Sequence, residues 1–185
     1  MSENSRIRLF QAIEGGSPFW SEELAKFGSE ELIDRIVNGF YDSKKRSAVR
    51  IKDQLLTYSS EYLLEQISKV GARFVTPDSA EWPQNLHDLV APPIGFVVKG
   101  IIPTAPSVAI VGTRNPTVYG ARIASEFSSG FADREFVVVS GGAYGIDTHA
   151  HRGCIAAEGR TIAVVDSGID VDYPAGNARL FAEIQ

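Results

Sequence analysis

SVAIVGTRNPTVYG (residues 107–120), FVVVSGGAYGID (136–147) and TIAVVDSGID (161–170) share one pattern: an apolar run that ends in glycine and leads into a helix-forming stretch. Val108 to Val111, Phe136 to Val139 and Thr161 to Val165 are continuously apolar rather than alternating, which predicts three buried strands of a parallel sheet covered by helices. Their starts lie 28 and 25 residues apart, room for one helix in each crossover. The spacing predicts helices over Thr117 to Asp133 and Gly145 to Glu158, and a third that begins near Ala178. The fold class is α/β, with a βαβαβ unit. Three strands fall short of the five or six of a doubly wound sheet, so the chain reads as a fragment, or as one that completes its sheet with a partner.

Upstream the pattern is helical. Ile7, Phe10 and Ile13, then Leu32, Ile36 and Phe40, recur at helical spacing, with Gly15-Gly16 and Gly28 as separators. Ser17-Pro18 and Ser29-Glu30-Glu31 offer helix starts, an N-cap followed by proline or acids. A further helix is expected from Tyr58 to Val70, capped by Ser59 or Ser60, with Leu63, Leu64 and Ile67 on one face. Between them Lys44, Lys45, Arg46, Arg50 and Lys52 form the only dense basic run, either a solvated face or a phosphate contact. From residue 71 to 106 six prolines punctuate the chain, and Arg73 to Val75 and Phe96 to Val98 read as short strands. The expected organisation is a small all-helical domain (1–70), a connecting segment (71–106) and an α/β domain (107–185).

Composition limits the function. With 185 residues, 44% hydrophobic and 22% charged, the chain should fold, and its net charge of −5 argues against wholesale wrapping of nucleic acid by a basic protein. A single cysteine, Cys154, rules out an internal disulfide, and three histidines nearly exclude a Cys/His zinc cluster. A reducing cytoplasm suits such a chain. No stretch has the length of a membrane span or the form of an export signal.

Chemistry is expected where strand ends feed helix N-termini. Gly112, Thr113, Arg114 and Asn115 follow the first strand: glycine for a close turn, Asn115 or Thr117 as cap, Pro116 for the first helical position, and a guanidinium suited to phosphate. Ser140, Gly141, Gly142 and Gly145 form a second glycine-rich turn on the neighbouring strand. Each loop alone is equally well explained as a tight turn; the two together, with an arginine between, point to an anion or nucleotide backbone. The dinucleotide fingerprint, the Walker-type phosphate loop and the Gly-x-Ser-x-Gly elbow are all missing. His149 and His151 point roughly 200° apart on a helix and cannot share a metal. Asp147 and His151 share a face, which suits the helix dipole first and acid/base work second, and Cys154 reads as a small core residue. Tyr119, Tyr144 and Tyr173 stand in or beside these loops, where a ring either stacks on a base or packs on the loop.

Read together, VAIVGTRNPTVYG (108–120), VVVSGGAYGIDTHAHRG (137–153) and GRTIAVVDSGIDVDYPAGNARLF (159–181) closely resemble the DNA-processing protein A family, DprA or Smf, in order over about 75 residues. WPQNLHDLVAPPIGFVVKG (82–100) resembles the family's lead-in. The N-terminal helices resemble its small SAM-like domain only loosely, with Gly15-Gly16-Ser17-Pro18 in place of Gly-Ile-Gly-Pro. The resemblance implies a Rossmann-like domain, here incomplete at its C-terminal side. It also implies a cytoplasmic single-stranded DNA-binding recombination mediator that protects incoming DNA and helps load the RecA recombinase in natural transformation. No catalysis and no cofactor come with it, and the full-length family forms homodimers. It places DNA on Arg114 and on the loop from Ser140 to Asp147, with Tyr144 where a basic residue is common. The alternative is a nucleotide-binding or nucleotide-cleaving enzyme with a related core, whose Pro-Gly-Gly-x-Gly-Thr loop does not occur in these residues.

Overall fold

The computed structural model describes residues 3–43 and 45–185, and the chain divides into two compact units that meet in sequence between Val98 and Lys99. The first unit contains helices α1 (Glu3–Ala12), α2 (Pro18–Val37), α3 (Ser47–Thr57) and α4 (Ser60–Lys69), then strands β1 (Arg73–Val75) and β2 (Phe96–Val98). Its starts follow the local chemistry. The Ser17 hydroxyl accepts from the Trp20 amide with Pro18 opening α2, and Ser59 does the same for α4 through Tyr62. Gly28, at φ 76°, breaks the direction of α2 in mid-course. Leu9, Leu32, Ile36, Tyr41, Ile51 and Leu55 fill the core between the first three helices.

β1 and β2 pair antiparallel, Arg73 opposite Val98 and Val75 opposite Phe96. Buried Trp82 packs on Phe96, ring centroids 4.9 Å apart, and Arg73 is paired with Glu81, so the proline-rich segment is folded onto this hairpin. Of the basic run, Arg50 and Lys52 fall on α3, Lys45 lies 4.1 Å from the Phe19 ring centroid, and Arg46 is exposed. Lys44 lies outside the described residues.

The second unit is a parallel sheet of β3 (Ser107–Ala109), β4 (Val137–Ser140) and β5 (Thr161–Ala163) in that spatial order, with α5 (Val118–Ala132), α6 (Ile146–Ala156) and α7 (Ala178–Ile184). Ser107 pairs with Val137 and Val138 with Thr161. Both crossovers step the same way across the sheet, so right-handed connections put α5 and α6 on one face, where they pack together. Val138, Ala150 and Cys154 form the centre of that layer, flanked by Val108, Ile110 and Phe131. This is the Rossmann-like α/β architecture expected.

One expectation fails. Only β4 is buried, whereas Ala109 on β3, and Val111 and Val164 just past β3 and β5, stand exposed. With Val108 and Ile110 turned to the helices, strand alternation sends Ala109 and Val111 to the opposite face. The opening is confined to the carboxyl end of that face, since Val137, on the same side as Val139, is only 1% exposed. No helix of the described residues is long and apolar enough to cross a membrane.

Candidate functional site

The two glycine loops sit against each other at the carboxyl ends of β3 and β4. The Ile146 amide donates to the Thr113 carbonyl at 3.1 Å, and Gly145 adopts φ 88°, with its Cα so close to the first loop that a Cβ would stand 2.3 Å from Thr113 O. Gly112 is likewise held against Ile146. Thr113 closes its own turn, its hydroxyl accepting from the Asn115 amide at 3.2 Å. Thr117, not Asn115, caps α5 by accepting from Gly120 N–H, which places Pro116 before the cap and not in the first helical turn. Arg114 is exposed and has no ion-pair or hydrogen-bond partner among the described residues.

The second loop is built inside out. His151, fully buried on α6, donates from Nε2 to the Gly141 carbonyl, and its Nδ1 is 2.7 Å from Thr161 Oγ1. The Thr148 hydroxyl donates to the Ala143 carbonyl at 2.8 Å. Asn177, only 2% exposed, reaches back from the start of α7 to donate to Gly142 O at 2.9 Å and to Thr148 Oγ1 at 2.9 Å. All three carbonyls of Gly141, Gly142 and Ala143 are therefore held by side chains of the domain. The amides of Gly142, Ala143 and Tyr144 have no acceptor among the described residues, which leaves them as the loop's open donors.

These donors border a pocket of about 320 Å³ lined by Arg114, Gly141 to Tyr144, Asp147, Val164 to Asp166, Tyr173 and Pro174. Arg114, Gly141 and Gly142 thus converge, while Gly112, Thr113, Asn115 and Gly145 support them from behind. Ser140 does not reach the pocket: it is buried, and its hydroxyl donates to Ile110 O at 2.6 Å, tying β4 to β3. Tyr144 and Tyr173 lie on the rim, whereas Tyr119 is away from the pocket with Arg122 over its ring. A larger hollow of about 650 Å³ lies in the helical unit, with Glu14 and Arg50 as its charged residues. It has neither the glycine loops nor the open amides.

Burial lowers the pKa of His151 despite the bond to Gly141 and the nearby Asp147 charge, and because a carbonyl only accepts, Nε2 carries the proton that Gly141 receives. Both ring nitrogens are engaged, Nε2 with the loop and Nδ1 with Thr161 of β5. Burial also raises the Cys154 thiol, which donates to Arg160 O inside the helical layer. The holders His151, Thr148 and Asn177 escape a reading by motif, since each acts on a carbonyl of a loop far from it in the chain or on another element. For Asn177 a signal existed, an asparagine just before a helix, but it makes no capping bond there and turns to the loop instead.

Known proteins match this arrangement. Residues 73–185 fit the model of the family described as DNA recombination-mediator protein A. A putative DNA processing protein DprA of Mycobacterium tuberculosis is 40% identical over 172 residues, covering 85% of this chain and 44% of that protein. DNA processing protein DprA of Streptococcus pneumoniae is 39% identical over 121 residues, and the match covers 64% of this chain and 42% of that protein. The X-ray structure of DNA processing protein A from Streptococcus pneumoniae superposes with a TM-score of 0.77 at 26% identity, covering all of this chain and 65% of that one. The chain spans less than half the length of these two curated relatives. With the family model covering the β1–β2 hairpin and the whole glycine-loop unit, this chain belongs to the DNA recombination-mediator protein A family.

Proposed function

We propose that the chain is the strand-holding part of a recombination mediator, which binds single-stranded DNA through the paired glycine loops. The observation that carries this reading is the convergence of unpartnered Arg114 with the open amides of the second loop. A phosphodiester gains a bidentate cation and fixed amide donors there, and the side chains that orient the amides are already buried, so little ordering remains to be done on binding. Exposed rings of Tyr144 and Tyr173 at the rim supply faces on which bases stack without sequence preference. On this reading the protein acts in the cytoplasm as a dimer, where it would protect incoming strands and help load the RecA recombinase during DNA uptake. The names of the curated relatives, DNA processing proteins, support that setting. The role is binding and not catalysis, a reading supported by the engagement of both nitrogens of His151 within the fold.

The test is a titration of labelled oligo-dT with the native chain and an Arg114→Ala variant at two salt concentrations. Binding should weaken with salt, and the variant should bind more weakly with a salt slope reduced by roughly 0.7, the value for one phosphate contact on a single strand. A folded chain that ignores the strand, or a variant that binds as well as the parent, would remove the reading.

A further inference from the structure

The pocket of the α/β unit contains more than a phosphate site requires. Beside Arg114 stand Asp147 and Asp166, so its side chains carry one more negative charge than positive, and a bare phosphate meets repulsion as well as attraction. Asp147 is the sharper feature. It is 8% exposed, lines the pocket next to Gly141, and has no hydrogen-bond or ion-pair partner among the described residues. The start of α6 offsets part of its charge but fills none of its lone pairs. An unpartnered carboxylate on the pocket wall loses its water to whatever fills the pocket, and so calls for a donor from that occupant.

The interior of a DNA strand offers no such donor from its backbone, because phosphodiesters and internal deoxyriboses only accept. A sugar hydroxyl appears at a 3′ end or on a free nucleotide. Resting on the reading of the glycine loops as a phosphate site, we infer that this pocket takes one nucleotide bearing a 5′-phosphate and a free 3′-hydroxyl. The phosphate sits on Arg114 and the amides of Gly142 to Tyr144, and the hydroxyl donates to Asp147. The volume of about 320 Å³ is at the small end of ligand pockets and suits a single nucleotide, with Tyr144 or Tyr173 against its base. A carboxylate that accepts from a sugar hydroxyl beside a helix-terminal phosphate site is an arrangement other nucleotide-binding sheets use. The strand end and the free nucleotide present the same chemistry, and the experiment separates them.

On the native chain, affinities are measured for oligo-dT ending in a 3′-hydroxyl and in a 3′-dideoxy sugar, and for dTMP and its 3′-deoxy analogue. Loss of the hydroxyl should weaken binding roughly tenfold or more, as expected for a bond to a charged acceptor. A gap within the strand pair identifies the strand end as ligand, and a gap within the nucleotide pair alone identifies the free nucleotide. The gap should persist when adenine replaces thymine at the terminus, and Asp147→Asn should close it. A gap that vanishes with adenine or survives Asp147→Asn overturns the assignment. Equal, salt-sensitive binding of both strands with no nucleotide discrimination overturns this inference and leaves the strand-binding function standing. Discrimination between nucleotides with no strand binding does the reverse, and a folded chain that binds none of the four ligands overturns both.

Discussion

At the scale of single residues, Gly145 carries the closest fit. Its φ of 88° belongs to glycine, and a Cβ there would stand 2.3 Å from Thr113 O and 2.7 Å from Arg114 C, both backbone atoms with little room to move. Gly145→Ala should therefore destabilise the α/β unit by at least about 1–3 kcal/mol from the backbone conformation alone, with the collision added. Its melting transition should fall by several degrees, and strand binding should weaken with it because the first loop is pushed off the second. His151 acts through protonation. Its folded pKa is depressed by burial below the ordinary 6.5, so as the pH drops through that value the unfolded chain takes up a proton that the folded chain refuses. Stability attributable to His151 is present above about pH 6.5 and declines below it. Denaturant titrations at about pH 7.5 and about pH 5.5 should show a larger loss for the native chain than for His151→Gln, and equal losses would refute the assignment.

At the scale of elements, α7 is anchored to the site by one side chain. Asn177 gives its Nδ2 hydrogens to Gly142 O and Thr148 Oγ1, so Asn177→Ala leaves the half-buried carbonyl and the buried hydroxyl without their donor at a cost of about 1–3 kcal/mol. Asn177→Asp keeps the size but turns an oxygen toward that carbonyl, and should lower the melting transition further than alanine does. The reverse order would mean that Asn177 serves by filling space. This tie also shows which parts of the fold were legible. The βαβαβ order, the strand positions and the two glycine loops follow from local runs whose periodicity is confined to a few residues. The orientation of the second loop does not, because His151, Thr148 and Asn177 set it through single hydrogen bonds to carbonyls with no periodicity to betray them. Ser140 shows the opposite case, a polar residue of the glycine motif whose hydroxyl is used inside the sheet. In the helical unit α3 carried its own signal, Ala48, Ile51 and Leu55 at helical spacing, which the basic residues around it obscured.

At the scale of the molecule, the distribution of apolar surface decides how the chain behaves in solution. The runs Val108 to Val111 and Thr161 to Val165 are apolar on both faces, yet α5 and α6 cover only one. Val111 remains 68% exposed and Val164 60%, with half-buried Val139 and Ile162 between them on the strands' far side. Strands of this composition gain stability only when both faces leave water, so the exposed carboxyl end of the second face retains a drive to associate. A net charge of −5 opposes that drive at low salt and is screened as salt rises. Light scattering after size exclusion should therefore show the mean mass rising with protein concentration, and rising more steeply at high salt. Placing acids on the face, Val111→Glu with Val164→Glu, adds charge of the sign the chain already carries at two mostly exposed positions and should return the chain to a monomer with little change in its melting transition. A double variant that associates as the parent does would show that this face is not the surface responsible. Association that weakens at high salt would assign it to charged groups instead of the sheet.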